Sequence, residues 1–170
     1  KTAKTETVAH DDSLYNHHWL VRKSFFLDDA TEGLRLDITA DDYYKLYVNG
    51  AYVGQGPAQG YHFHYYYNSY ELSKYLKPGK NTIAVHVFYH GMVNRAYNSS
   101  DHRQGLIAEL VDAEGKVILG TDDSWKMKPT LMYGGPSVPS ATGHRTQYIE
   151  QIDARLEIKE WNRAEYEDSD

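Results

Sequence analysis

The chain has 170 residues, a net charge of -6 at neutral pH, 16 tyrosines and no cysteine. That length fits one domain with a closed hydrophobic core, and the missing cysteines exclude disulfides, thiol catalysis and thiolate metal sites. The acidic balance excludes a general affinity for nucleic acid or anionic lipid, which needs surplus Lys and Arg, and no run of about 18 apolar residues marks a membrane span.

The opening KTAKTETVAHDD is polar, lacks the apolar region of a signal peptide and reads as an N-terminal extension over 1–17. Beyond it, apolar residues recur with period two rather than 3.6. WLVRKSFF (19–26), LRLDIT (34–39) and YKLYVN (44–49) are short, aromatic or β-branched, and separated by acidic or glycine-bearing turns, so each predicts a strand. Tyr44, Leu46 and Val48 alternate with Tyr43, Lys45 and Tyr47, which assigns one set to a core and the other to the opposite face. Asn49-Gly50 before AYVG predicts a two-residue hairpin. YHFHYYYNSY has no aliphatic residue and reads as an aromatic loop with a turn at Asn68-Ser69.

SYELSKYL predicts a single helical turn with Ser73 as its N-cap. A Pro78-Gly79 turn then leads into a strand over 82–89 with Ile83, Val85 and Val87 on one face. GLIAELVD and KVILGT follow, joined by Ala113-Glu114-Gly115, and a turn at TDDSW precedes KMKP. Residues 132–143 have the Gly, Pro and Ser content of an exposed loop, and 148–161 reads as a final strand. About eight short strands at this spacing predict an all-β fold, an antiparallel β-sandwich with little helix, over 18–161. Residues 162–170 read as a linker, and the acidic EYEDSD has no closing feature, so a further domain is expected downstream.

Candidate chemistry is sparse. Tyrosine stacks its face on the C–H surface of a sugar while its hydroxyl bonds, so the aromatic loop suits a carbohydrate or protein contact. His62 and His64 share a strand face and His17-His18 are adjacent, but no spacing supplies a third metal ligand; His86 and His90 read as structural. Asp11-Asp12, Asp41-Asp42 and Asp122-Asp123 fall at turns, where aspartate caps backbone N–H groups. NRAYNSSDHRQG, which holds Tyr97 and a glycosylation sequon at Asn98, is a long polar connection of the kind that carries sites. There Asp101, with loop carbonyls, is a candidate ligand for a hard cation such as calcium. Spacing does not define the paired carboxylates of a glycosidase cleft.

The order VRKSFFL, LRLDITADDYYKLYVNGAYVG, LKPGKNTIAV, DHRQGLIAEL, TDDSWK and EQIDARLEIKEW resembles the N-terminal β-sandwich domain of bacterial α-L-rhamnosidases. The hairpin and LKPGKNTIAV are shared with galactose-binding-like jelly rolls of β-galactosidase-type enzymes. RQGLIAEL, SW and DARLE are what favour rhamnosidase. The resemblance implies an accessory domain whose partners are rhamnose-containing glycans and a downstream (α/α) catalytic barrel. It also implies similarity to a calcium-dependent rhamnose-binding module, in which an Asp-Asn pair holds the ion and a tryptophan lines the sugar. These positions fall on Asp101, His102 and Trp125, with Tyr97 in the same loop, and the imidazole of His102 is a poor ligand for an oxygen-seeking cation. The alternative is a purely structural domain that packs on the barrel.

Overall fold

The computed structural model describes residues 15–28, 32–61, 63–91, 104–133 and 150–168. Its strands are β1 (His17–Leu27), β2 (Arg35–Asp41), β3 (Tyr43–Val48), β4 (Ala51–Gly56), β5 (Asn68–Glu71), β6 (Gly79–Tyr89), β7 (Gly105–Val111), β8 (Val117–Gly120) and β9 (Lys126–Pro129). They form two antiparallel sheets, one in the order β4-β3-β6-β1-β9 and the other β5-β2-β7-β8. This is the expected all-β sandwich.

The pleat sends alternate side chains to opposite faces, so the central strands turn every second residue into the core. From β3 and β6 these are Tyr44, Leu46, Val48, Ile83, Val85 and Val87, none more than 2% exposed. Leu36, Ile38, Ala108 and Leu110 join the same cluster from the other sheet. The β3–β4 hairpin turns on Asn49 (φ 51°) and Gly50 (φ 85°), the pair of positive values that a type I′ turn needs. The Asn49 amide also donates to the Tyr75 carbonyl (2.9 Å) while its oxygen accepts from the Thr82 N–H (2.9 Å), which locks the hairpin to β6.

Three local expectations are corrected. Asn68 and Ser69 open β5 instead of making a turn, because pairing with Ile38 and Asp37 of β2 overrides their turn preference. Ser73 does not cap the helical turn; that turn closes from the Leu76 N–H to the carbonyl of fully buried Leu72, and the Ser73 hydroxyl accepts from Gly33 N–H at 3.2 Å. Within 150–161 there is no strand. That stretch carries a 3-10 turn at Ala154–Leu156 and continues to Asp168 across the outer face of the five-stranded sheet.

Side chains and turns, not a ladder, hold this segment in place. Arg22, 5% exposed, donates to the carbonyls of Arg163 (2.9 Å) and Tyr166 (3.4 Å), pairs with Asp168 and stacks over the Tyr166 ring. Trp161 packs edge-on against Tyr47 at 5.9 Å, and the Gly50 N–H donates to the Asn162 carbonyl. One half of the outer face is thereby covered, and among the described residues the other half is left open.

Candidate functional site

The open half is shaped by strand register. Phe88 on β6 lies opposite His18 of β1 on one side and Tyr43 of β3 on the other, and His86 lies opposite Leu20 and Lys45. All of these point away from the core, because they alternate with buried Trp19, Tyr44, Val85 and Val87. Tyr133, arriving after β9, closes over the imidazoles. The result is a pocket of about 550 Å³, with Asn16, Lys45, Gln55 and Glu150 among its polar lining residues. That volume is in the range of small-molecule sites.

Its wall is a stack of rings. Tyr133 lies nearly parallel to His18 (4.8 Å, 23°) and to His86 (4.7 Å, 25°), His18 stacks on Phe88 (4.7 Å, 27°), and Tyr43 runs parallel to Phe88 at 6.4 Å. Nδ1 of His18 and Nε2 of His86 are 3.1 Å apart, so one imidazole donates and the other accepts. Burial, then the neighbouring His86, His17 and Lys45, lowers His18 to about 3, and burial with Lys45 lowers His86 to about 4. Both are therefore neutral near pH 7. Burial also raises the Tyr43 and Tyr133 hydroxyls above the ordinary tyrosine value, so both stay protonated donors.

The β4 side of the pocket depends on a close approach of backbone. A Cβ on Gly56 would lie 2.1 Å from Asn68 Oδ1 and 2.9 Å from the Tyr44 hydroxyl, which itself donates to Asn68 Oδ1 at 2.9 Å. Glycine is thus required there by packing. Among the described residues lining it, the site offers flat apolar faces, neutral donors and acceptors, and charge only at Lys45 and Glu150. Among the described residues lining it Glu150 is the one carboxylate, so they do not form the paired acid and base of a glycosidase.

Of the site residues singled out from sequence, Trp125 lies within the described residues. Trp125 is not among the residues lining this pocket; it is partly buried against the core, and its indole N–H donates to the Gly120 carbonyl at 2.9 Å. Tyr97, Asn98, Asp101 and His102 lie outside the described residues, as do His62 and Asp11-Asp12. Among the described residues no group of three or more His, Asp or Glu side chains is arranged to hold a metal, and no helix is long and apolar enough to cross a membrane. His17 and His18 do not chelate together: they point to opposite faces of β1, and Nδ1 of His17 is bonded to Gln104 Oε1 at 3.0 Å. His90 is buried, with its N–H on Asp42, but His86 belongs to the pocket as well as to the strand. The sequence signal for this site is an aromatic on the outward phase of β6 beside another on the outward phase of β3; the pairing of β6 with β1 and β3 is what brings His18, Tyr43 and Phe88 together.

Two antiparallel sheets in this strand order define an all-β sandwich domain. The α-L-rhamnosidase N-terminal domain model matches residues 30–170, and the chain belongs to that family. A family GH78 rhamnosidase of Bacillus sp. GL1 is 33% identical over 91% of this chain and 16% of its own, with a TM-score of 0.78. A native α-L-rhamnosidase from Aspergillus terreus is 26% identical, covering 95% of this chain and 19% of its own, with a TM-score of 0.68. The chain thus spans less than a fifth of the length of these solved rhamnosidases. No curated protein gives a comparable sequence match.

Proposed function

We propose that this chain is a non-catalytic accessory domain of an α-L-rhamnosidase that holds rhamnosyl glycans beside a separate catalytic barrel. The observation that carries the reading is the aromatic pocket of neutral imidazoles, Phe88, Tyr43 and Tyr133 on a domain of this family. Ring faces accept the C–H surface of a pyranose, while Asn16, Gln55 and the histidine pair meet its hydroxyls. A neutral floor suits an uncharged sugar, because no buried charge has to be desolvated to admit it. Tethering makes weak binding sufficient, since a linked site works at an effective concentration in the millimolar range.

The test is a calorimetric and NMR titration of the 170-residue chain with L-rhamnose, with and without calcium. Binding that Phe88→Ala removes and Trp125→Ala leaves intact supports the pocket. Binding that needs calcium and is lost in Asp101→Ala or Trp125→Ala moves the sugar to the loop of Tyr97, Asp101 and His102. Silence at tens of millimolar sugar under both conditions supports the structural alternative, a domain that only packs on its barrel.

A further inference from the structure

The opposite side of the sandwich carries a second groove. On the outer face of the β5-β2-β7-β8 sheet, Thr39 of β2 pairs across to Ile107 of β7, and Asp37 to Glu109. Two hollows of about 410 and 330 Å³ share Thr39 and Ile107, so together they make one elongated trough. Phe63 and Tyr65 flank the first hollow and Tyr67 the second, at every other residue of the segment leading into β5. Phe63 is 75% exposed, Tyr67 65% and Ile107 63%. So much apolar surface gathered along one trough marks a contact surface rather than scattered exposure.

Specific bonds hold this wall in position. The Thr39 hydroxyl donates to the Tyr66 carbonyl (2.7 Å), the Tyr65 hydroxyl donates to Asp41 Oδ2 (3.0 Å), and the His64 N–H donates to the Tyr61 carbonyl (2.7 Å). A Cβ on Gly60 would sit 2.5 Å from the His64 carbonyl, so the backbone closes tightly behind the rings. The floor has a definite electrostatic sign. No lysine or arginine is among the described residues lining either hollow, and nearby Arg35 spends its guanidinium on Asp37 through two bonds of 3.0 Å. Glu109 is exposed and has no partner among the described residues.

We infer that this trough is a second carbohydrate-binding site, for a neutral oligosaccharide lying along β2 and β7 with its rings on Phe63 and Tyr67 and a hydroxyl donating to Glu109. Charge decides the ligand class. An acceptor-rich floor repels uronates and a second acidic copy of this chain, while a chain of hydroxyl donors satisfies the carboxylate without bringing a charge. Length follows from the two connected hollows, which offer separate platforms to successive sugar rings. The site shares no residue with the pocket on the opposite sheet, so it stands or falls independently of the function proposed above.

The probe is a ¹H–¹⁵N NMR titration of the 170-residue chain with rhamnan, cellulose, xylan and mannan hexasaccharides, with hexagalacturonate and hexalysine as charged controls. Expected is a neutral hexasaccharide that shifts the amides of Thr39, Ile107 and Glu109 and outbinds its monosaccharide by about tenfold, the worth of one additional ring contact of roughly 1.4 kcal/mol. Phe63→Ala with Tyr67→Ala should abolish those shifts while the spectrum stays dispersed, and Phe88→Ala should leave them intact. Silence of these amides toward every neutral hexasaccharide overturns the inference. So does a response to hexalysine as large as that to any sugar, which would make the trough a surface for basic protein segments.

Discussion

Mild acid should destabilise this domain, and the cause is the pair of imidazoles in the pocket. An unfolded histidine titrates near 6.5, whereas folded His18 and His86 are lowered to about 3 and about 4, first by burial and then by His86, His17 and Lys45 around His18 and by Lys45 beside His86. Between those limits the unfolded chain binds protons that the folded chain does not, so stability rises with pH and falls as pH is lowered below about 6.5. Each histidine contributes about 1.4 kcal/mol per pH unit in that window. Two of them remove about 2–3 kcal/mol between pH 7.5 and 5.5, a large part of the 5–15 kcal/mol that stabilises a typical domain.

At 2–4 °C per kcal/mol for a chain of this size, the midpoint of thermal unfolding should drop by roughly 5–10 °C. Calorimetric or circular-dichroism melts at half-unit intervals from pH 7.5 to 5 measure it. The lowered carboxylates of Asp37, Asp122, Asp153 and Asp168 lose their contribution only further into acid, below this window. His18→Gln with His86→Gln should flatten the slope. A wild-type midpoint that is level from pH 7.5 to 5.5, or a double variant with an undiminished slope, refutes the assignment of neutral, buried imidazoles.

Other outcomes follow from single contacts. Gly56→Ala places a methyl 2.1 Å from Asn68 Oδ1 and should cost about 1–3 kcal/mol in urea unfolding, with altered amide shifts on β4 and β5. Leu46→Ala empties a fully buried position between the sheets and should cost about 2–5 kcal/mol by the same assay. Arg22→Ala removes the group that binds the Arg163 and Tyr166 carbonyls and Asp168, so limited proteolysis should cut within 160–168 in the variant before the sandwich is attacked.

Much of the architecture was legible because a strand's chemistry repeats every second residue. Tyr44, Leu46 and Val48, and Ile83, Val85 and Val87, announced both their strands and their inward phase, and Asn49-Gly50 announced the hairpin. Signals failed where partners mattered more than propensity. Asn68-Ser69 resembles a turn in isolation and becomes an edge strand because β2 offers it a ladder. Residues 150–161 look extended, yet they lie over a sheet as irregular chain, with Arg22 and Tyr47 holding the segment that continues from them. The family resemblance, carried by RQGLIAEL, SW and DARLE, agrees with the match over 30–170.

Fold class, the inward phase of the central strands and the main turns can be read along the chain, since alternation and turn chemistry are local properties. The pocket exists only once distant strands have paired. His18 and His86 are 68 residues apart and meet only because β6 pairs with β1 in one register, while Tyr133 reaches them from beyond β9. A shift of that register by one residue would turn His86 and Phe88 into the core, so the site is a consequence of pairing between distant segments, which no local pattern encodes.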